Sequence, residues 1–70
     1  MPQFIVNTQV QANGDHEVHN KTSGCTFMPA AGNQKDLGYH SSCHSAVTEA
    51  KKTYRQSNGC YYCCTECHTK

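Results

Sequence analysis

The sequence predicts one small α+β domain over residues 1–70. We expect an N-terminal β-hairpin, to which residues 25–28 can add a short third strand, packed on one α-helix and closed by a C-terminal cysteine cluster. Three observations lead to this prediction. The segment QFIVNTQVQ alternates apolar and polar residues, as half-buried strands do. Residues 43–54 carry an apolar stripe at helical spacing. Four of the six cysteines fall within residues 60–67.

The predicted hairpin consists of the alternating segment, the turn sequence ANGD and the segment HEVHN. A two-residue loop at Asn13 and Gly14 would turn Val18 toward the polar face. A three-residue loop over 12–14, with Gly14 in the left-handed bulge conformation, places Thr8 opposite Val18 and keeps the apolar side chains together. We therefore favour the three-residue loop, which puts His19 on the face opposite Val18.

The predicted helix begins after Ser41 or Ser42, either of which can cap its first turn. Its apolar stripe follows the i, i+3, i+4, i+7, i+11 pattern and contains Cys43, Ala46, Val47, Ala50 and Tyr54. The sequence SNG at 57–59 ends the helix in this prediction, because glycine tolerates the left-handed conformation that often terminates helices.

The charge and hydropathy of the chain bound its partners. Six basic residues against five acidic ones give a formal charge of +1, so we expect no nucleic-acid binding. No stretch approaches the length of a transmembrane helix, and we expect no membrane contact. The N-terminus lacks the pattern of a signal peptide, which predicts a cytoplasmic protein with reduced thiols. Removal of a leader before residue 1 would reverse that expectation.

A chain of 70 residues buries a marginal core and usually needs disulfides or a structural metal. Cys60 and Cys63 form a C-x-x-C that can offer two thiolates to one Zn²⁺ from a tight turn. Cys67 lies four residues beyond Cys63 and would share its face in a helical turn. We predict a structural zinc held by these three cysteines and Cys25, which follows a glycine as Cys60 does. His19, Cys43 and His68 are the other candidates for the last ligand.

One resemblance bears on the ligand set. The string VHNKTSGCTFMP…LGYH…NGCYYC resembles the Ada-type small zinc-binding modules, in which an early His or Cys and a nearby Cys pair with a late C-x-x-C. That resemblance implies His19, Cys25, Cys60 and Cys63 as ligands of one structural zinc. The segments ANGDHEVH, SSCHSAVTEAK and GCYYCCTECHT also resemble short cysteine-containing bacterial proteins of unassigned function, which implies a stand-alone domain and no activity.

Two alternatives to zinc remain open. Six cysteines in a short chain allow fifteen disulfide pairings, as in a small secreted domain. A thiol redox protein using Cys60 and Cys63 is the other alternative, although no thioredoxin-like βαβ pattern surrounds this pair. The chain shows no phosphate loop and no paired carboxylates. We therefore expect a binding or interaction module for a protein partner, without catalytic activity.

Overall fold

The computed structural model describes residues 1–69, which form a four-stranded sheet, one α-helix and two 3₁₀ turns. The predicted α+β architecture is confirmed. The elements in chain order are β1 (Gln3–Asn7), β2 (His16–Asn20), a 3₁₀ turn (Ala31–Asn33), β3 (Gln34–Tyr39), α1 (Cys43–Lys51), β4 (Ser57–Gly59) and a second 3₁₀ turn (Thr65–Cys67).

The strand order across the sheet is β3-β1-β2-β4, so β1 and β2 lie in the centre. β1 is antiparallel to both of its neighbours, whereas β4 runs parallel to β2. Phe4, Ile5 and Val6 are successive residues of β1, and none is more than 2% exposed. Both faces of this strand are therefore covered, which explains its continuous apolar run better than the half-buried strand expected from the sequence.

The β1–β2 hairpin is present, but its loop spans residues 8–15 and the predicted register is wrong. Val6, not Thr8, lies opposite Val18. The Asn7 side chain accepts a hydrogen bond of 2.9 Å from the Gln9 amide, which turns the chain out of the strand early. Val10 is consequently 58% exposed instead of joining the core.

The third strand lies later in the chain than predicted. Residues 25–28 form a turn, closed by a 3.1 Å hydrogen bond from the Met28 amide to the Cys25 carbonyl. The strand that pairs with β1 on its other side is β3. The sequence SNG at 57–59 is also not the end of the helix: α1 ends at Lys51, and SNG forms β4 beside β2.

The helix packs on one face of the sheet, where the core contains Phe4, Val6, Val18, Leu37, Cys43, Ala46, Ala50 and Cys64. Small alanines on the buried side of α1 let the helix approach the sheet closely. Ile5 and His19 face each other across β1 and β2 and are equally buried, but they lie outside that core cluster. The opposite face of the sheet is therefore covered by other residues. Within residues 1–69, no helix has the length and apolar character needed to span a bilayer.

Candidate metal centre

Four side chains with metal-binding donor atoms, three thiols and one imidazole, meet beside the central strand β2. They are His19 of β2, Cys25 of the following turn, and Cys60 and Cys63 just after β4. One ligand atom from each lies within 4.8 Å of the others. Three separate parts of the chain thus supply one cluster.

The sheet itself aligns His19 with Cys60. In the parallel pairing of β2 with β4, Val18 lies opposite Gly59. The Cys60 amide then donates a hydrogen bond of 2.9 Å to the Val18 carbonyl. His19 and Cys60, which follow Val18 and Gly59 directly in the chain, are therefore neighbours. A further bond of 2.9 Å, from the Cys64 amide to the Cys60 carbonyl, closes the turn that brings Cys63 back toward the strand.

A tight turn after β2 returns Cys25 to the same place. The Asn20 carbonyl accepts a hydrogen bond of 3.2 Å from the Gly24 amide, and the Asn20 side chain accepts one of 2.9 Å from the Ser23 amide. Gly24 has a φ of 78°, a left-handed conformation that glycine adopts without steric cost. The glycine before Cys25 is thus needed for the reversal that presents this thiol.

The spacing of the donor atoms fits a tetrahedral metal. With Zn–S and Zn–N bonds of about 2.3 and 2.05 Å, tetrahedral angles place two sulfurs about 3.8 Å apart and a sulfur about 3.6 Å from a nitrogen. The Sγ atoms of Cys25 and Cys60 are 3.7 Å apart. The Cys63 Sγ lies 3.5 Å from His19 Nδ1. Both separations therefore agree with ligands that share one ion, and the sulfur pair is far too long for a disulfide.

Backbone amides point at two of the sulfurs. The Asn20 amide donates to the Cys63 Sγ at 3.3 Å, and the Tyr62 amide donates to the Cys60 Sγ at 3.4 Å. Hydrogen bonds of this kind stabilise the thiolate more than the thiol, because an ionised acceptor binds a donor more strongly. The surrounding backbone is therefore suited to thiolate ligands.

His19 is fully buried, and its two nitrogens face different groups. Nδ1 faces Cys63, whereas Nε2 lies 3.4 Å from a carboxylate oxygen of Glu17 without forming a hydrogen bond of good geometry. A carboxylate on the outer nitrogen commonly orients a metal-binding histidine. Burial lowers the pKa of His19, and the nearby Glu17 charge opposes this shift only in part. The imidazole is thus neutral at neutral pH, as a metal ligand must be.

Burial acts on the thiols in the opposite sense. It raises the pKa of Cys60 and of Cys63, because the low-polarity surroundings disfavour the charged thiolate. Without a cation the sulfurs therefore keep their protons at neutral pH. A divalent metal would displace those protons and supply the charge that burial otherwise disfavours.

The predicted ligands do not all meet in this cluster. Cys25, Cys60 and Cys63 come together, and the fourth member is His19, one of the alternatives considered from the sequence. Cys67 lies elsewhere, in a disulfide with Cys43. Cys64 is buried in the core under α1, and burial raises the pKa of its thiol. The sequence does contain an indication of His19, because the predicted hairpin places it on the face opposite Val18, away from the helix.

Comparison of the chain with protein-family models, with curated proteins and with solved structures finds no significant match. The chemistry of the cluster therefore has to be inferred from its own donors. Three sulfurs and one imidazole nitrogen in a compact, partly buried arrangement can hold a single borderline-soft cation with tetrahedral preference.

Proposed function

We propose that the protein is a small zinc-stapled binding module with no catalysis of its own, in which Cys25, Cys60, Cys63 and His19 hold one structural Zn²⁺. The observation that carries the proposal is the agreement of the sulfur–sulfur and sulfur–nitrogen separations, 3.7 and 3.5 Å, with the edges of a zinc tetrahedron. Four protein ligands would leave no open position for a substrate or a reactive water, as is usual for structural zinc.

The positions of the ligands in the chain support a role as a staple. The zinc would join the end of β2, the turn after it and the segment after β4. β4 has only three residues and pairs along one side with β2. So short a strand gains little from its own hydrogen bonds, and a metal bridge would hold it in place. The large apolar core residues are few, which makes such a bridge a major part of the stability.

An exposed aromatic patch supports a role in binding a protein. Phe27, Tyr61 and Tyr62 are 55%, 56% and 64% exposed. Phe27 stacks on Tyr62 with ring centroids 4.6 Å apart, and Tyr61 meets Tyr62 edge-on. These residues lie two positions after Cys25 and directly after Cys60, so the zinc loops would display them rigidly. Rigid, exposed aromatic groups are typical of protein interfaces.

Electrospray mass spectrometry tests the staple. Under native conditions we expect one zinc per chain, and we expect chelation to remove the zinc together with the folded charge-state distribution. Non-reducing denaturation should leave a mass lower by two hydrogens, for the Cys43–Cys67 bond, and four thiols that react with iodoacetamide. Zinc-free protein that remains folded with four free thiols would contradict the proposal.

Paired surface variants test the partner. The double variant Phe27→Ala/Tyr62→Ala removes the stacked aromatic pair, whereas Tyr39→Ala removes a ring that is 62% exposed on the edge strand β3. We expect both variants to keep zinc and fold, because all three side chains lie at the surface. Proteins captured by the wild type should be lost with the double variant and retained with Tyr39→Ala. Equal capture by all three proteins would contradict a role for the patch.

The second candidate is a disulfide-stabilised secreted domain, which the Cys43–Cys67 bond favours. In that case the denatured mass would lack six hydrogens and no zinc would be bound. A thiol redox role for Cys60 and Cys63 has less support, because reactive cysteines need a lowered pKa and burial raises the pKa of both. Three thiolate ligands persist best in a reducing compartment, so we place the zinc-bound protein in the cytoplasm, where the Cys43–Cys67 bond would also be open to reduction.

A further inference from the structure

A second group of metal-binding side chains surrounds the disulfide. Cys43 is the first residue of α1, and Cys67 ends the 3₁₀ turn Thr65–Cys67. A ring nitrogen of His44 and the two sulfurs all lie within 4.8 Å of one another. Glu66 adds a carboxylate oxygen 3.9 Å from the Cys43 Sγ. None of these four residues belongs to the candidate metal centre.

We propose that reduction of the Cys43–Cys67 bond creates a second zinc site, with the two thiolates and His44 as ligands and Glu66 as the fourth. Sulfur, imidazole and carboxylate are the three ligand types that zinc accepts in proteins. The site exists only in the reduced protein, because a disulfide sulfur carries no charge and binds zinc poorly.

The redox step balances with a dithiol as the reductant. One thiolate of the dithiol attacks a sulfur of the disulfide, and the second completes the exchange. The dithiol is oxidised to its own disulfide, two electrons pass to the protein pair, and two protons end on the Cys43 and Cys67 sulfurs. Zn²⁺ then displaces those protons as it binds. In the reverse direction, a disulfide takes two electrons from the protein pair and two protons from solvent to become a dithiol. The Cys43–Cys67 bond then forms again and the zinc is released.

The geometry requires only a small rearrangement. The bonded sulfurs would have to separate to about 3.8 Å, the edge of a zinc tetrahedron. Rotation of the cysteine side chains can supply this change, since the Cα atoms are already 6.2 Å apart. Cys43 is buried, but His44 and Glu66 are exposed and give zinc access from solvent. Both the disulfide and the zinc would tie the start of α1 to the C-terminal turn.

Native mass spectrometry of the oxidised and the reduced full chain tests this proposal, with zinc supplied and a non-thiol phosphine as the laboratory reductant. The oxidised protein should bind one zinc and the reduced protein two. His44→Ala and Glu66→Gln should each weaken or abolish binding of the second zinc and leave the first unchanged. His68→Ala is the matched control, because it also removes a histidine next to Cys67. The Nδ1 atom of His68 lies 3.0 Å from the Gly59 carbonyl oxygen, and His68 is not part of the proposed site.

Alkylation gives an independent readout. In the reduced, zinc-loaded wild type, Cys43 and Cys67 should react with iodoacetamide more slowly than in the His44→Ala variant. A reduced wild type that binds no more zinc than the oxidised protein overturns the proposal, as does a second zinc lost in His68→Ala and retained in His44→Ala. If instead the oxidised protein binds no zinc but the reduced protein gains one that depends on His44, this inference stands and the zinc-staple proposal fails.

Discussion

The two cysteine groups of this molecule differ in what holds their sulfurs together. In the centre beside β2, the sulfurs of Cys25 and Cys60 stand 3.7 Å apart, a tetrahedral edge. At the start of α1, Cys43 and Cys67 are covalently bonded. The first group has a buried histidine and two backbone amides that point at its sulfurs. The second has an exposed histidine and an exposed carboxylate.

That difference suggests separate roles in stability. In the proposed function, the centre beside β2 holds thiolates whose charge needs a cation, so its contribution to stability should depend on metal. The disulfide contributes by limiting the unfolded chain and is independent of metal. Removing one group or the other should therefore have very different effects, although each contains cysteines packed into the same small domain.

The largest expected effect is that of Cys60→Ser. Structural zinc binding contributes about 10–16 kcal/mol of apparent free energy in small zinc domains, more than such a core can lose. We expect this variant to bind no zinc and to lose the dispersed amide NMR spectrum of a folded protein. Cys64→Ala is the matched control, because Cys64 is a neighbouring buried cysteine outside the cluster. A folded Cys60→Ser protein would show that the centre beside β2 is not needed for folding, and would contradict the different roles of the two cysteine groups.

The double variant Cys43→Ala/Cys67→Ala should have a smaller effect. The bond spans a sequence separation of 24, and a disulfide of this size typically stabilises by about 2–4 kcal/mol. Urea denaturation of the zinc-loaded variant should show a loss in that range, with one zinc still bound. Complete unfolding of this variant would mean that the disulfide, and not the zinc, is the main staple.

Zinc affinity should fall steeply as the pH is lowered. Burial raises the pKa of Cys60 and Cys63 above the ordinary value of 9.0, so below that pH both are protonated without metal and zinc must displace both protons. Two displaced protons make the apparent affinity change by about 100-fold per pH unit. His19 adds to the slope only below 6.5, because its pKa is lowered.

Competition against a chromophoric chelator, at several pH values between 6.5 and 9.0, measures how steeply the zinc affinity changes with pH. The disulfide does not titrate in the same range, so the stability that it provides should stay level. An affinity independent of pH would show that thiolates do not hold the zinc.

Gly59→Ala should destabilise the side of the molecule that carries the disulfide. A Cβ at this position would lie 2.7 Å from the Cys67 Cβ and 2.8 Å from the Cys64 carbonyl oxygen. Backbone atoms would have to move, at a cost of about 1–3 kcal/mol. Gly32→Ala is the control, since a Cβ added at this position would have no atom of another residue within 4 Å, apart from its chain neighbours. Equal melting temperatures for the two variants would contradict the close packing of the C-terminal turn on β4.

Glu17→Gln should change the zinc affinity and leave the fold intact. The variant keeps the size of the side chain but removes the charge that lies 3.4 Å from His19 Nε2. Loss of such an outer carboxylate typically lowers metal affinity by about 10- to 100-fold. Chelator competition should show this decrease while the zinc stoichiometry stays at one. An unchanged affinity would mean that Glu17 does not orient the imidazole.

The hairpin and the helix could be predicted because each follows from local periodicity. The alternation that predicts the hairpin runs over residues 3–11, although β1 contains only Gln3–Asn7. The stripe of Cys43, Ala46 and Ala50 is also visible in the sequence, and the structure buries these helix residues. β4 could not be predicted in this way. Its three residues are small and polar, and they form a strand only because they pair with β2, about forty residues away in the chain.

The same missing strand explains the difference at the candidate site. Spacing alone points to Cys25, Cys60 and Cys63, but the choice between Cys67 and His19 depends on which element passes beside the C-x-x-C. β4 brings that motif next to His19, and the 3₁₀ turn carries Cys67 toward Cys43. Non-local pairing of this kind leaves no periodic pattern in the sequence.

X-ray absorption at the zinc edge tests the central claim most directly. For the oxidised, zinc-loaded protein, we expect three sulfur neighbours at about 2.3 Å and one nitrogen at about 2.0–2.1 Å, with the outer-shell scattering of an imidazole ring. In the His19→Ala variant, the imidazole scattering should disappear. A shell of four sulfurs, or one dominated by oxygen, would contradict the assignment of Cys25, Cys60, Cys63 and His19 as the ligands.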